Sequence, residues 1–239
     1  MFYEQELKTV LADVDRNLKL TNRSILRYFE IVGTYQSNSM GCGVDDTYTK
    51  GLSWIILDWR IKVIKRPKYR EKLLLRTWSS GSDKLFAYRD YEMVNDKNEV
   101  CAVGTSRFVL RDIKEQKMVH MSEDLTSKFQ TEDKHVLPEE KFLKCKVPTD
   151  FSNEFDYTVM RRDIDFNKHM HNLYYFDLAY EVLPEEVFEN CELNNFRITY
   201  KKEIKLGETV KCQYSLDDTK HIVYISNGEG NMNSIISLW

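Results

Sequence analysis

Residues 21–36, TNRSILRYFEIVGTYQ, place Ile25, Tyr28, Phe29 and Val32 at i, i+3, i+4 and i+7. That spacing lines one face of an α-helix, and Thr21, Asn22 and Ser24 supply capping side chains at its start. From about residue 53 the period changes to two: Trp59, Ile61 and Val63 alternate with Arg60 and Lys62. Further strands are predicted near 71–80, 84–95 and 99–111, parted by the turn-like Ser-Gly-Ser-Asp at 80–83 and Asn-Asp-Lys-Asn at 95–98. One helix followed by a run of strands predicts an α+β module.

The second half repeats the order. Tyr175, Leu178, Ala179 and Val182 recur at the same spacing, each 150 residues beyond its counterpart in the first helix. Asp13-Val14-Asp15-Arg16-Asn17 corresponds to Asp163-Ile164-Asp165-Phe166-Asn167 at the same offset. WRIKVIKRPKYREKL from Trp59 matches FRITYKKEIKLGETV from Phe196 at an offset of 137, so the second copy has a connection 13 residues shorter. This internal duplication predicts two tandem modules, 1–120 and 151–239. Between them lies a polar connector, 121–150, holding two of the four prolines.

Composition narrows the classes. The chain has 239 residues, 42% of them apolar, enough to bury a core without disulfides or structural metal. With 9 Gly and 4 Pro it is neither collagen-like nor of low complexity. Lys and Arg number 35 against 38 Asp and Glu, a net charge of −3 that gives no electrostatic ground for a nucleic-acid partner. No stretch approaches the roughly 18 consecutive apolar residues of a membrane-spanning helix, so no membrane insertion is expected. Cys42, Cys101, Cys145, Cys191 and Cys212 are odd in number and lack a CxxC pair. They read as reduced thiols, and the sequence after Met1 has no mark of a signal or transit segment, so the expected location is cytoplasmic.

Candidate chemistry appears where the two copies differ. The first has Asp15-Arg16-Asn17-Leu18-Lys19, and the second has Asp165-Phe166-Asn167-Lys168-His169 directly before its helix. At a second place Arg66 is matched by Glu203. The second copy therefore gains a His and a Glu together. Asp165, Asn167, His169 and Glu203 supply a carboxylate to hold or activate water, an amide to orient it, an imidazole to transfer protons and a second carboxylate base. The helix start beyond His169 predicts backbone N–H groups near His169 and Met170 as a cradle for an oxyanion, which suits acyl transfer to water. Asp-x-Asn-x-His alone is a weak signal, because Asp and Asn favour turns for local reasons, and the first copy carries the pattern without the His. Asn172 and Tyr175 read as supporting the helix start and its packing. His169, His171 and Asp165 lack metal-specific spacing, so neither metal nor cofactor is expected.

These residues resemble the acyl-acyl carrier protein thioesterase family, the plant FatA and FatB type and its bacterial relatives. The most specific element is Asp165-x-Asn167-x-His169-x-x-Asn172-x-x-Tyr175, followed by Tyr200-Lys201-Lys202-Glu203. Trp54, the Arg-Thr-Trp at 76–78 and Tyr88-Arg89-Asp90-Tyr91 also fall where the family has comparable residues. The resemblance implies a double hotdog, two modules each with a central helix wrapped by antiparallel strands. It also implies an acyl-chain pocket in the N-terminal module and Asp165, Asn167, His169 and Glu203 as the catalytic set in the C-terminal one. The implied reaction releases free fatty acid from acyl carrier protein bearing a fatty-acyl phosphopantetheine thioester, by a monomer or homodimer. Two positions depart from the pattern. Ile204 stands where plant members usually have Cys, which removes a thiol nucleophile and leaves direct water attack or an anhydride with a carboxylate, and His171 stands where many members have Asn.

Other readings stay open. Which carboxylate acts as base is not decided. An acyl-CoA thioesterase, a hotdog dehydratase acting on 3-hydroxyacyl thioesters and a non-enzymatic acyl-binding module are alternatives, the last weakened by four convergent polar groups. Arg161, Arg162, Lys168, Lys201, Lys202 and Lys205 flank the set, either to attract an acidic carrier protein and its phosphate or as a solvated strand edge.

Overall fold

Thr21 opens the first long helix as the sequence predicts, its Oγ1 accepting the Ser24 N–H at 3.1 Å. The helix, α1 (Asn22–Ser39), buries Ile25, Phe29 and Val32 completely. The computed structural model describes residues 2–138, 142 and 145–239. It divides into two compact units, Met1–Lys141 and Phe142–Trp239.

In the first unit β1 (Tyr3–Lys8) precedes α1, and the short α2 (Val44–Tyr48) follows it. Then come β2 (Leu52–Val63), β3 (Lys72–Ser82), β4 (Phe86–Asn95) and β5 (Val100–Asp112), with the two-residue β6 (Met118–Val119) paired to β5. The sheet runs in the order β1-β3-β4-β5-β2, every pair antiparallel. The edge strand β1 was not expected, because its polar alternation covers too few apolar positions to signal burial. The predicted turn at 80–83 also moves. β3 runs through it to Ser82, with a register slip at Gly81, and Asp83 makes the turn by accepting the N–H groups of Leu85 and Phe86 at 2.8 and 2.7 Å.

The α1 face packs through aromatic rings. Phe29 stacks on Tyr91 at 5.1 Å, and Tyr91 lies 4.9 Å from Trp59. Gly104 on β5 admits this packing, since a Cβ there would stand 2.9 Å from Phe29 and 3.0 Å from Ile61. Gly104→Ala is therefore expected to destabilise the unit by about 1–3 kcal/mol, measured by thermal unfolding. An unchanged midpoint would mean that Phe29 has room to move.

Part of the stretch read as the connector packs onto the first unit. Ser122 caps α3 (Glu123–Lys128), Leu125 joins Cys42 and Leu110 in a small apolar cluster, and the Trp78 indole donates to the Lys134 carbonyl at 2.7 Å. Residues 139–141, 143 and 144 of that stretch lie outside the described residues.

The second unit holds β7 (Asn153–Thr158), α4 (Asn172–Val182), α5 (Glu185–Asn190), β8 (Asn195–Tyr200), β9 (Thr209–Asp217), β10 (Lys220–Asn227) and β11 (Met232–Leu238). Its antiparallel order, β7-β9-β10-β11-β8, is the connectivity of the first unit. Register agrees as well: Lys8 faces Lys72 and Thr158 faces Thr209, positions related by the offsets of 150 and 137 read from the sequence. The fold is α+β, a double hotdog in which each module lays one long helix on an antiparallel sheet.

All five cysteines are free. Burial pushes the Cys101 thiol up to about 11 and the Cys212 thiol up to about 12, whereas Cys191 is exposed. Iodoacetamide at a mildly alkaline pH of about 8 should alkylate Cys191 in the native protein and leave Cys101 and Cys212 unmodified until denaturant is added, because the thiolate is the nucleophile. Peptide mass mapping reads the result directly. Among the described residues no helix is long and apolar enough to cross a membrane.

Candidate active site

The loop that carries Asp165, Asn167 and His169 is a duplicated piece of backbone. In each unit a 3-10 turn ends on a buried aspartate that accepts a backbone N–H three residues earlier: Asp13 from Val10 at 2.8 Å, Asp163 from Met160 at 2.7 Å. The next aspartate ties the loop to itself. Asp15 Oδ1 accepts the N–H groups of Asn17 and Lys19 at 2.8 and 3.0 Å, and Asp165 Oδ1 accepts those of Asn167 and His169 at 2.8 and 3.4 Å. Leu18 and Lys168 both adopt positive φ, 57° and 64°. Leu20 then donates to the Pro67 carbonyl, and Met170 to the Ile204 carbonyl, each at 2.8 Å.

On this shared frame the side chains differ. His169 and Glu203 come together, with Nε2 3.3 Å from Oε1, and they remain 26% and 31% exposed. Contact with one another and access to solvent are both required of a proton-transfer pair acting on water. At the matching place in the first unit Arg66 donates to the Leu20 carbonyl at 2.8 Å and to Asn22 Oδ1 at 2.9 Å, bracing the helix start. The carboxylate Oδ1 of Asp165 is directed to the loop backbone, as its counterpart Asp15 is, and Asn167 is held through its own N–H.

One expectation changes, and the place of His171 is settled. Met170 N–H is bonded to the Ile204 carbonyl, and His169 N–H is directed to Asp165 Oδ1, so these groups are not an open oxyanion cradle. The cause is the shared frame, since the first unit makes the same two bonds, Leu20 N–H to the Pro67 carbonyl and Lys19 N–H to Asp15 Oδ1. His171 is the N-cap of α4, its Nδ1 accepting the Leu173 N–H at 3.2 Å, the position Thr21 occupies for α1.

Tyr175, read from the sequence as a packing residue, is buried within the electrostatic reach of Glu203. Its ring stands edge-on to Tyr200 at 5.2 Å, and the Tyr200 hydroxyl donates to the Asn172 carbonyl at 3.1 Å. Burial, aided by the Glu203 carboxylate, pushes the Tyr175 hydroxyl well above the ordinary phenol range, so it stays neutral. A signal for its nearness to the site existed, because Ile25 holds the matching place in the first copy, another difference between the copies. Arg161, Arg162, Lys168, Lys201, Lys202 and Lys205 are all exposed.

Residues 1–129 match the family model of the acyl-ACP thioesterase N-terminal domain, and residues 146–239 match that of its C-terminal domain. The chain is 21% identical over 224 residues to the chloroplastic oleoyl-acyl carrier protein thioesterase 1 of Arabidopsis thaliana, an alignment covering 87% of this chain and 62% of that protein. It thus spans about three fifths of the length of this curated relative. Among solved structures it is similar to an acyl-ACP thioesterase from Bacteroides thetaiotaomicron, with a TM-score of 0.90, 16% identity and coverage of 99% of this chain and 96% of that one. It is also similar to the 12:0-ACP thioesterase from Umbellularia californica, with a TM-score of 0.89, 15% identity and coverage of 99% and 96%. With both domain models matched in order, the chain belongs to the acyl-ACP thioesterase family.

Proposed function

We propose that this protein hydrolyses the thioester of fatty-acyl acyl carrier protein and releases the free acid, so ending chain growth in fatty-acid synthesis. The observation that carries the reading is the His169–Glu203 pair at 3.3 Å, in the one unit of a duplicated frame where Lys and Arg give way to His and Glu. Family membership and the relatives' names supply the substrate class.

In the proposed mechanism Glu203 takes a proton from water as the oxygen adds to the thioester carbonyl. The tetrahedral intermediate collapses with cleavage of the C–S bond. The thiolate of the phosphopantetheine arm leaves with the proton returned through His169, and the acid departs. Asp165 positions the loop that holds His169, and Asn167 orients the water. Ile204 is fully buried and has no nucleophilic atom, so no side chain at that place attacks the thioester. The N-terminal module holds the acyl chain, and the exposed cations around the loop steer the acidic carrier. Five free cysteines fit a cytoplasmic setting.

The test is thiol release by the purified protein from acyl-carrier-protein and acyl-CoA thioesters of medium to long chains. Faster release from the carrier-protein substrates is expected. Faster release from the CoA esters would reassign the carrier, and no release, with dehydration of a 3-hydroxyacyl thioester instead, would reassign the reaction.

A further inference from the structure

Asp13 and Asp163 hold the same place in the two units, but their outer oxygens end differently. Asp13 receives the Tyr28 hydroxyl on Oδ2 and the Arg27 guanidinium on Oδ1, both from α1. Asp163 receives the Tyr157 hydroxyl on Oδ2 at 2.7 Å, from β7. Its Oδ1, on a side chain only 1% exposed, has no hydrogen-bond partner. The residue at the place of Arg27 is Asp177, and the one at the place of Tyr28 is Leu178. The nearest cation, Arg162, keeps its Nε 3.6 Å from Oδ1, outside hydrogen-bonding distance, and its side chain is 72% exposed. Next to this oxygen a groove of about 930 Å³ runs between β7 and α4, lined by Tyr157, Asp163, Tyr174, Asp177 and Glu181 among others.

A buried carboxylate oxygen without a donor is costly, and the first unit shows which group satisfies it in this frame. We propose that the groove binds a guanidinium group from outside the chain, donating to Asp163 Oδ1 where the first unit supplies its own Arg27. Asp177 and Glu181 add negative charge on the helix side, and the rings of Tyr157 and Tyr174 offer faces to a planar cation. A guanidinium is favoured over an ammonium because its planar fork can serve two carboxylates at once. The groove is larger than one such group, leaving room for the chain that bears it. This site is separate from the His169–Glu203 pair and does not depend on the proposed hydrolysis.

The test uses the full chain titrated with N-ethylguanidinium and followed by amide NMR. Saturable shifts are expected at Tyr157, Asp163, Tyr174 and Asp177, with no response to neutral N-ethylurea and a weaker one to N-ethylammonium. Asp177→Arg restores on the chain the residue that the first unit carries. It is expected to weaken N-ethylguanidinium binding roughly tenfold or more, the loss of a charge-assisted hydrogen bond, and to raise the thermal midpoint. Asp163→Asn should weaken binding likewise. An acetylated, amidated Ala-Arg-Ala peptide separates the sources: tighter binding than N-ethylguanidinium assigns the group to a polypeptide, and equal binding assigns it to a free small molecule. Absence of saturable binding by either probe, or binding unchanged in a folded Asp177→Arg variant, overturns the proposal.

Discussion

Glu203→Gln is expected to lower turnover of acyl-carrier-protein thioesters by roughly 10²–10⁴-fold, the contribution of a positioned general base. The substitution keeps the shape of the side chain and a contact with His169, so the loss should fall on kcat with little change in KM. The first unit provides the control. Asp15 holds its loop as Asp165 does, but Lys19 and Arg66 stand where the second unit has His169 and Glu203. Asp15→Ala should therefore leave kcat near its original value, whereas Asp165→Ala should lower it by releasing the N–H groups of Asn167 and His169 and displacing the imidazole. If Glu203→Gln and Asp165→Ala both turned over normally, the assignment of this site would fail. Steady-state kinetics on folded variants, checked by circular dichroism, decide the matter.

The largest stability effect is expected from Asp13→Asn, about 3 kcal/mol, or roughly 10 °C in the thermal midpoint. Asp13 is fully buried and accepts from Val10, Tyr28 and Arg27, so both of its oxygens face donors. An amide cannot satisfy that arrangement, since its NH₂ must point at the Arg27 guanidinium or at the Val10 and Tyr28 donors. Asp163→Asn provides the contrast. There the donors, Tyr157 and Met160, converge on Oδ2 alone, and the NH₂ can take the place of the Oδ1 that has no hydrogen-bond partner. Its expected cost is under about 1 kcal/mol. Comparable losses from the two substitutions would mean that the aspartates are satisfied alike, against the asymmetry between the units. Thermal unfolding of both variants beside the parent protein measures the difference.

Much of this was legible along the chain. The period of 3.6 over residues 21–36 and the period of two over 59–63 located α1 and β2, because burial of one helix face or one strand face leaves a repeating apolar mark. The offsets of 150 and 137 located the duplication, and they reappear as matched strand registers. Comparing the copies then singled out His169 and Glu203, since a frame repeated in one chain separates the residues that build it from those that differ.

Other features had no local mark. His169 and Glu203 are 34 residues apart, and they meet because the loop bridges back to Lys205 and Met170 bonds to Ile204. The bond to Ile204 occupies the Met170 N–H, and Asp165 Oδ1 takes the His169 N–H, the two groups that the helix start offers from its sequence. The tyrosine that satisfies the buried aspartate comes from α1 in one unit and from β7 in the other, an exchange visible only once strand and helix lie side by side. Sequence by itself determined the long helix of each copy, the main strands that follow it and which residues distinguish the two copies, because periodicity and identity are properties of neighbours along the chain. Only the tertiary structure decided which polar groups stay available to a ligand, because sheet register and long-range hydrogen bonds, formed between distant segments, allocate each donor and acceptor.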